Sequence, residues 1–370
     1  PRLLGVTPAT VLDDWCGGGP LWARTFDTVL GRVGLVFLPR FDAQLFDDPA
    51  GLTHDLHNAL ALARQIGGRM VSLTGLLASA TDYGRSAIAA LNGDAHLPIT
   101  TGHGTTAAGV ALAVHGALRA TGRSLASERL AMLGVGSIGR STLPLLLDAA
   151  HPAEIILCDV FAQARRLAEF RGAIEHEYGY RGPVRLVASR GTVPDEVYGA
   201  SVIVAAASVP GLLDPERLRA GTIVVDDGFP PGCDPASAWR RCQRAGDVLV
   251  LSGGTLCGPA PIIETRYLPS GIDPEVLDQL MPRRAPREIG SCILSGLLSG
   301  RFPAAPTTIG FPSAAACRAH LLALSRLGFG AAGPHVGPYR YDPADLSRFS
   351  DLGAPAPRAA GSPQPAPPAP

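Results

Sequence analysis

The feature that most constrains this chain is a glycine pattern set between two apolar runs. Residues 129–133 form an apolar run that leads into Gly134-x-Gly136-x-x-Gly139, and an apolar helical pattern follows. A second apolar run, residues 155–159, ends on an acidic side chain. Strand, glycine turn, helix and strand in this order are typical of a dinucleotide-binding βαβ unit. The pattern therefore predicts a Rossmann-type domain.

Each glycine has a physical role in holding a dinucleotide. Gly134 permits a tight turn, Gly136 lets the backbone approach a pyrophosphate, and Gly139 lets the helix pack close to the strand. The helix N-terminus offers free N–H groups and partial positive charge to the phosphates. The predicted cofactor-binding residues are Gly134, Gly136, Ser137, Ile138, Gly139, Asp159, Ser208 and Gly228.

Asp159, at the end of the second strand, bears on the choice of cofactor. A carboxylate there accepts hydrogen bonds from the adenosine ribose and repels a 2′-phosphate, which favours NADH. Arg165 and Arg166 follow about one helical turn later, within reach of a 2′-phosphate. The sequence therefore predicts NADPH or NADH and leaves the preference open. An Asp that only caps the next helix is the alternative interpretation.

The composition excludes several other classes of function. Basic and acidic residues number 32 each, so a net charge of zero gives no electrostatic case for binding nucleic acid. No apolar run reaches the roughly 18 residues that span a bilayer. No charged-then-apolar leader opens the chain, and because it begins with Pro rather than Met its true N-terminus is left open. Seven scattered cysteines favour a reduced, cytoplasmic setting with no metal site.

The sequence contains no lysine, so all 32 basic residues are arginine. A P-loop requires its lysine and Schiff-base chemistry requires a lysine amine, so both are excluded. Nicotinamide enzymes with a Tyr-x-x-x-Lys pair are excluded for the same reason. The group that activates a substrate must therefore be Cys, His, Ser, Thr, Tyr, Arg or the backbone.

Alternating patterns predict an α/β fold in several parts. Residues 1–28 form an N-terminal segment, and residues 29–125 are predicted to be an α/β substrate domain. Residues 126–265 carry six apolar strands, which predicts the doubly wound parallel sheet of the Rossmann domain. Residues 266–352 are predicted to be helical and to pack on the first domain, and the Pro-rich residues 353–370 to be a disordered tail.

Two residues are candidates for chemistry on a substrate. Cys292 lies in the C-terminal region, in a helix predicted over residues 286–299 with Pro286 in its first turn. Because it lies six residues beyond Pro286, the helix N-terminus would lower its pKa little, and a buried structural cysteine is the alternative. His103 is a candidate proton donor or a helix-capping side chain, at the start of an apolar helix.

Several short stretches together resemble the cyanobacterial-type long-chain acyl-(acyl-carrier-protein) reductases, which make fatty aldehydes. The resemblance covers residues 29–300 and follows that family's order. Its pieces are Phe37-Leu-Pro39, Ser72-Leu-Thr-Gly75, Thr100-Thr-Gly102 with Thr106, the glycine fingerprint, Ser208-Val-Pro210 leading into Asp214-Pro215, Val225-Asp226-x-Gly228-Phe229-Pro230, Leu251-Ser-Gly-Gly254 and Cys292. This chain departs from the family at Asp159, His103 and Ser295, which leaves room for a divergent substrate.

The resemblance implies that Cys292 accepts the acyl group as a thioester, which NADPH or NADH then reduces to an aldehyde. The implied partner is an acyl carrier protein or acyl-CoA, with no nucleic acid and no integral membrane segment, and a homo-oligomer is left open. His103 is predicted as the general acid. Arg283, Arg284 and Arg287 precede Cys292 closely and are a candidate surface for an acidic carrier, with an ordinary solvated surface as the alternative. Two alternatives remain open. One is an NAD(P)-dependent alcohol or hydroxy-acid dehydrogenase without a covalent intermediate, and the other is a non-catalytic nicotinamide-binding sensor.

Overall fold

Strands and helices alternate along the chain. The structure is a computed structural model, and it describes residues 7, 10–90, 97–160, 163–267, 275 and 283–350. The strands in these ranges are β1 (Leu21–Thr28), β2 (Gly31–Phe37), β3 (Val71–Ser72), β4 (Ile99–Thr100), β5 (Arg129–Leu133), β6 (Glu154–Val160), β7 (Val184–Ser189), β8 (Val202–Ala205), β9 (Thr222–Asp226), β10 (Val248–Ser252), β11 (Thr255–Cys257), β12 (Ile263–Arg266), β13 (Glu288–Gly290), β14 (Gly330–Ala331), β15 (His335–Val336) and β16 (Tyr339–Arg340). The α-helices are α1 (Asp42–Asp47), α2 (Pro49–Gln65), α3 (Leu77–Ala80), α4 (Arg85–Ala90), α5 (His103–Ala120), α6 (Ser137–Ala149), α7 (Ala164–His176), α8 (Asp195–Tyr198), α9 (Pro235–Ala245), α10 (Ser291–Arg301), α11 (Ala314–Arg326) and α12 (Pro343–Ser350). Within the same ranges, no helix is both long enough and apolar enough to cross a membrane.

The largest sheet has six parallel strands in the order β10-β9-β8-β5-β6-β7. The strand before the glycine fingerprint, β5, therefore lies in the middle, at the point where the strand order reverses. The inner strands are buried, which explains why their sequences are near-continuous apolar runs rather than alternating ones. The predicted Rossmann-type, doubly wound parallel sheet is confirmed.

A three-stranded antiparallel sheet joins distant parts of the chain. In it β1 pairs with β2 and also with β12. The β1–β2 hairpin extends across the predicted boundary at residue 29, and β12 extends across the predicted boundary at residue 266. Strand pairing shares backbone hydrogen bonds, so these segments fold as one layer. The predicted division into domains stays a prediction.

Helix α5 connects the first part of the chain to the parallel sheet. It packs against α6, α10 and α11. Its small residues are buried on all sides, as in Ala107, Ala108 and Ala111, which are each 0 % exposed. A helix that is apolar all round belongs in a core, and small side chains let its neighbours approach closely. This packing holds the N-terminal end of α5 beside the N-terminal end of α10.

The C-terminal region is not purely helical, contrary to its prediction. Residues 288–290 form β13, which pairs antiparallel with β11, so the helix predicted from Pro286 begins at Ser291 instead. Pro286 is a helix-start signal, but the fully buried Ile289 and the backbone partners on β11 favour a strand. Short strands β14 to β16 also lie in this region. The predicted tail, residues 353–370, and a helix predicted over 274–280 lie outside the described residues, apart from Glu275.

A buried ion pair ties together the N-terminal ends of three sheet strands. Glu128 is 0 % exposed, and its Oε2 accepts hydrogen bonds from Arg123 Nη2 and Ser201 Oγ, both at 2.5 Å. Arg123 Nη1 also donates to the Gly221 carbonyl oxygen at 2.6 Å. Glu128, Ser201 and Gly221 lie just before β5, β8 and β9.

We expect Arg123→Met to lower the free energy of unfolding by about 3 to 5 kcal/mol, because Glu128 would become an unpaired buried charge. Urea unfolding followed by circular dichroism measures this change. The matched control is Arg165→Met, which breaks an exposed pair with Glu169 on α7 and should unfold close to wild type. Equal effects of the two variants would contradict a special role for the buried pair.

Candidate active site

The glycine fingerprint forms the tight turn that its sequence predicts. Gly134 has a φ of +87°, a left-handed conformation that favours glycine. A Cβ on Gly139 would lie 2.1 Å from the Gly134 carbonyl oxygen, so only glycine allows this approach of α6 to the turn. A Cβ on Gly136 would meet nothing nearer than the Tyr83 hydroxyl, at 3.7 Å. Space for a ligand therefore lies over Gly136, at the N-terminus of α6.

The groups around this turn fit a dinucleotide. Helix α6 begins at Ser137, whose hydroxyl oxygen is buried and has no hydrogen-bond partner within the described residues. Ile138 is the next residue of α6. Asp159, at the end of β6, accepts the N–H of Val135 at 2.7 Å and that of Val160 at 2.7 Å, one on each oxygen. The carboxylate therefore fixes the turn, and its remaining lone pairs are free to accept a ribose hydroxyl.

The two arginines considered for a 2′-phosphate differ in position. Arg165 donates from Nε to Glu169 at 3.0 Å on the exposed face of α7. The charge of Arg166 instead acts on the hydroxyl of Tyr83, which stands over the fingerprint. Arg166 is therefore the arginine that bears on the cofactor site, and the preference between NADH and NADPH stays open.

Ser208 and Gly228 follow two neighbouring strands, β8 and β9, at the C-terminal edge of the parallel sheet. Ser208 is exposed, and the N–H of Gly228 donates to Asp226 Oδ1 at 2.9 Å. The other oxygen of Asp226 accepts the N–H of Cys233 at 2.8 Å. Burial raises the pKa of Asp226 to about 6 in spite of these hydrogen bonds. In an open α/β sheet this edge is where ligands bind.

Cys292 is the second residue of α10, which corrects its predicted depth within a helix. The half-buried thiol thus lies at a helix N-terminus. The backbone N–H groups of Gly75 and Ile293 lie close enough to the thiol to lower its pKa. The Ser72 hydroxyl donates to the Cys292 carbonyl oxygen at 3.0 Å. Residues 72–75, one of the stretches that carry the family resemblance, therefore hold the backbone of Cys292 through Ser72 and act on the pKa of its thiol through Gly75.

The N-terminus of α5 also packs against Cys292. Gly102 has a φ of +72°, and a Cβ there would lie 3.4 Å from the Cys292 Cα and 3.3 Å from the Ser295 Cβ. The Ser295 hydroxyl, about one turn further along α10, is buried and has no partner within the described part of the chain. The N-termini of α5 and α10 therefore meet at Cys292, and each carries partial positive charge.

Opposing charges act on the Cys292 thiol. Burial raises its pKa and the Asp227 carboxylate raises it further, whereas the Arg284 guanidinium and the N–H groups of Gly75 and Ile293 lower it. The upward effects win, so the thiol is mainly protonated near neutral pH. A protonated thiol is a weak nucleophile, and its attack on a carbonyl requires a base.

Asp227 is a charged residue of this site that sequence reasoning missed. Its backbone N–H donates to Ala205 at 2.8 Å, which continues the sheet beyond β9. A Cβ on Gly254 would lie 2.2 Å from Asp227 Oδ1 and 3.4 Å from Ser291 Oγ. The carboxylate therefore lies between the turn after β10 and the start of α10. Burial, together with the neighbouring Asp226, raises the pKa of Asp227 well above its ordinary value.

His103 is the first residue of α5 and lies next to Gly102 in the same cleft. It is 9 % exposed, and its Nδ1 has no hydrogen-bond partner within the described residues. Burial lowers the pKa of His103 to about 4, so the imidazole is neutral near pH 7. A neutral imidazole donates one hydrogen bond through its single N–H, but it lacks the second ring proton that an imidazolium would give up as an acid. The role of His103 as a general acid stays a prediction.

Tyr83 connects His103 with the fingerprint, and no sequence pattern pointed to it. Its ring packs edge-on against His103, with 5.9 Å between ring centroids, and its hydroxyl stands over Gly136. Asp82 and Tyr83 have φ values of +46° and +54°, a conformation that L-residues rarely adopt. The N–H of Gly310 donates to the Tyr83 carbonyl at 2.8 Å and helps to hold it. Backbone strain of this kind is concentrated at functional sites.

The arginines predicted to receive an acidic carrier interact with other groups of this chain. Arg284 donates to Thr255 Oγ1 at 2.9 Å, and Arg287 donates to the carbonyl oxygens of Gly258 and Pro259. Arg283 also has a partner. Within the described residues, no group of three His, Cys, Asp or Glu side chains is arranged to hold a metal ion.

A mostly apolar cavity of about 490 Å³ lies next to the start of α10, and its lining includes Ile293 but not Cys292 itself. It lies between the β1–β2 hairpin, α2, β3 and α10, and its lining includes Ser72, which binds the Cys292 backbone. Helix α10 contributes Ile293, Gly296, Leu297 and Gly300. Their spacing of three and four residues places them on one face of the helix. The volume falls within the range of about 300 to 1,000 Å³ that is usual for small-molecule pockets.

Comparisons with known proteins give only distant similarities. No protein-family model matches the sequence, and no curated protein matches it. Among solved structures, the chain is similar to L-tryptophan dehydrogenase from Nostoc punctiforme, with 14% identity, 60% of this chain and 57% of that chain covered, and a TM-score of 0.33. It is also similar to quinate dehydrogenase from Corynebacterium glutamicum in complex with NAD (16% identity, 50% and 72% covered, TM-score 0.28) and to the dipicolinate synthase A chain from Bacillus subtilis (11% identity, 47% and 60% covered, TM-score 0.30). The chain thus spans little more than half of the tryptophan dehydrogenase, and similarity at this level carries no argument about the reaction.

The buried His103 predicts a pH dependence of stability. Its pKa is lowered to about 4 in the folded chain, so only the unfolded chain binds a proton between pH 6.5 and 4, and stability falls as the pH is lowered through this window. Between pH 7 and pH 4.5, the unfolding free energy should fall by about 2 kcal/mol less in His103→Gln than in wild type. Urea unfolding at both pH values measures the difference. His57→Gln, on the exposed side of α2, is the control, and a pH dependence that is unchanged in His103→Gln would contradict the argument.

Proposed function

We propose that this chain is an NAD(P)H-dependent oxidoreductase that reduces an acyl thioester to an aldehyde through an acyl-enzyme on Cys292. One observation carries the proposal. Cys292 directly precedes Ile293, which lines an apolar cavity, and directly follows Ser291, which binds the turn after β10 at the C-terminal edge of the Rossmann sheet. A cysteine in that position can hold a long acyl group in the cavity while its carbonyl carbon stays at the edge where a cofactor binds.

The fingerprint supports a dinucleotide cofactor. Gly136 leaves open space at the N-terminus of α6, and the Ser137 hydroxyl, which has no hydrogen-bond partner within the described residues, offers a donor there. Asp159 offers acceptors for a ribose hydroxyl. A bound nicotinamide cofactor would supply the hydride. The protein's own contribution is to bind it at this edge, next to Ser208 and Gly228.

The acyl-transfer chemistry is suited to the groups around Cys292. Exchange of one thioester for another is nearly isoenergetic, so its value is to place the acyl carbon on a fixed residue. The backbone N–H groups of Gly75 and Ile293, which lower the pKa of the thiol, are candidate hydrogen-bond donors to an oxyanion on the acyl carbon. An acyl carrier protein or CoA fits as the donor because both deliver acyl groups as thioesters. The resemblance to acyl-(acyl-carrier-protein) reductases points in the same direction.

Acylation of Cys292 tests the proposal directly. We expect wild type, incubated with octanoyl-CoA without nucleotide, to gain one acyl mass that maps to Cys292, and Cys292→Ala to gain none and to lose aldehyde formation. Intact-protein and peptide mass spectrometry measure this. Cys257→Ala is the matched control, because Cys257 is also a half-buried free cysteine.

The alternatives predict different results. If the protein is a dehydrogenase without a covalent intermediate, hydroxylamine added during the reaction would capture no acyl group from the protein. The variant Cys292→Ala would then retain activity. A nicotinamide-binding sensor would bind the cofactor without consuming it for any thioester supplied. Either result would overturn the acyl-enzyme proposal.

The cavity predicts a limit on acyl chain length. Gly300 lines the cavity at the far end of α10, and a Cβ there would meet Met70 at an ordinary 3.8 Å, so Gly300→Leu should fold and narrow the cavity. We expect kcat/KM for the longest accepted acyl-CoA to fall at least about tenfold, with short acyl-CoAs little affected. Gly172→Leu, at an uncrowded position in α7, is the control. An equal loss for all chain lengths would contradict a role of this cavity in holding the acyl chain.

A further inference from the structure

We propose that Asp227 accepts the proton of the Cys292 thiol as the thiol attacks an acyl thioester, and returns that proton to the departing thiol. This inference rests on the proposed function. It assigns the base that a protonated Cys292 requires, and it draws on the position that the family pattern Val225-Asp226-x-Gly228 leaves unspecified.

Two contacts bring the loop that contains Asp227 to Cys292. On one side Asp227 Oδ1 and Ser291 Oγ both lie within 3.4 Å of the point where a Cβ on Gly254 would stand, and the Ser291 N–H donates to the Gly254 carbonyl oxygen at 2.8 Å. Ser291 directly precedes Cys292. On the other side the Phe229 ring lies 3.8 Å from the Cβ position of Gly75, whose N–H lowers the pKa of the thiol.

Two glycines in the turn after β10, the strand next to β9, leave room for the Asp227 carboxylate. Gly254 has a φ of +65°, and any side chain there would overlap Asp227 Oδ1, since the separation would be 2.2 Å. A Cβ on Gly253 would lie 3.1 Å from the Asp227 Cβ. The turn after β10 therefore makes room for Asp227 and holds it towards the start of α10.

The surrounding charges and burial favour the protonated form of Asp227 more than in an ordinary aspartate. Asp226 on β9, together with burial, raises the pKa of Asp227, and Asp227 in turn raises the pKa of Cys292, whereas Arg284 lowers the pKa of Cys292. A thiolate and a carboxylate side by side repel each other, so one proton shared between them is the stable arrangement. A base whose pKa is raised towards the working pH is also the more effective base.

The step balances without any other reactant. The thiol S–H proton moves to the Asp227 carboxylate as the Cys292 sulfur bonds to the thioester carbonyl carbon. The tetrahedral adduct collapses, the carbon–sulfur bond to the carrier breaks, and the departing thiolate takes the proton from Asp227. Cys292 is left acylated, Asp227 is again a carboxylate, and a free carrier thiol leaves.

The test separates two reactions of the same thiol in wild type and in Asp227→Asn. The first is alkylation of Cys292 by iodoacetamide between pH 6 and 10, with Cys257 as an internal reference. The second is acyl transfer from octanoyl-CoA without nucleotide. Both are followed by peptide mass spectrometry.

We expect the alkylation midpoint of Cys292 to move to lower pH in Asp227→Asn, because a negative charge is removed, and the midpoint of Cys257 to stay the same. Acyl transfer should nevertheless slow at least about a hundredfold, because the base is lost. Asp195→Asn, which precedes β8 at the opposite edge of the sheet, is the control and should match wild type.

Three outcomes would overturn the assignment. Unchanged acyl transfer in Asp227→Asn would show that Asp227 is not the base. Alkylation and acyl transfer that fall together would show a structural role, and an unchanged alkylation midpoint would show that the carboxylate does not act on the thiol. A wild type that is alkylated at Cys292 but never acylated would instead contradict the proposed function, and the shift in midpoint would still report on Asp227.

Discussion

One backbone hydrogen bond, from the Ser291 N–H to the Gly254 carbonyl oxygen at 2.8 Å, holds the candidate site together. It joins the first residue of α10 to the turn after β10, the outer strand of the parallel sheet. Because Cys292 is the next residue, this contact sets the thiol at the edge of the sheet where ligands bind. The Ser72 hydroxyl, which donates to the Cys292 carbonyl oxygen, and the pairing of β13 with β11 hold the same residue from other sides.

Asp226 and Asp227, at the end of β9, contact different parts of the structure. Successive side chains of a strand point to opposite sides. Asp226 turns to its own loop and accepts the backbone N–H groups of Gly228 and Cys233. Asp227 turns instead to Gly254 and the start of α10. Each raises the cost of charging the other, so one acts as a structural acceptor while its neighbour can exchange a proton.

Helix α10 serves two parts of the proposed reaction at once. Its N-terminus directs backbone N–H groups and partial positive charge to the thiol. One of its faces, with Gly296 and Gly300, leaves volume for the apolar cavity. An acyl group on Cys292 would therefore extend along the helix that activates its attachment point, which explains why small residues stand where a helix usually carries larger ones.

Local sequence patterns determined the glycine turn and the buried strands of the sheet, because both follow from steric limits and from apolar periodicity over a few residues. They misplaced the start of α10, since Pro286 is a helix-start signal whether or not β11 offers residues 288–290 a partner. Neither Tyr83 nor Asp227 could be assigned from sequence, because each acts on residues far away in the chain. Only the tertiary structure decided that a lone cysteine, a strand-end carboxylate and two helix N-termini meet, since desolvation and charge depend on distances in space.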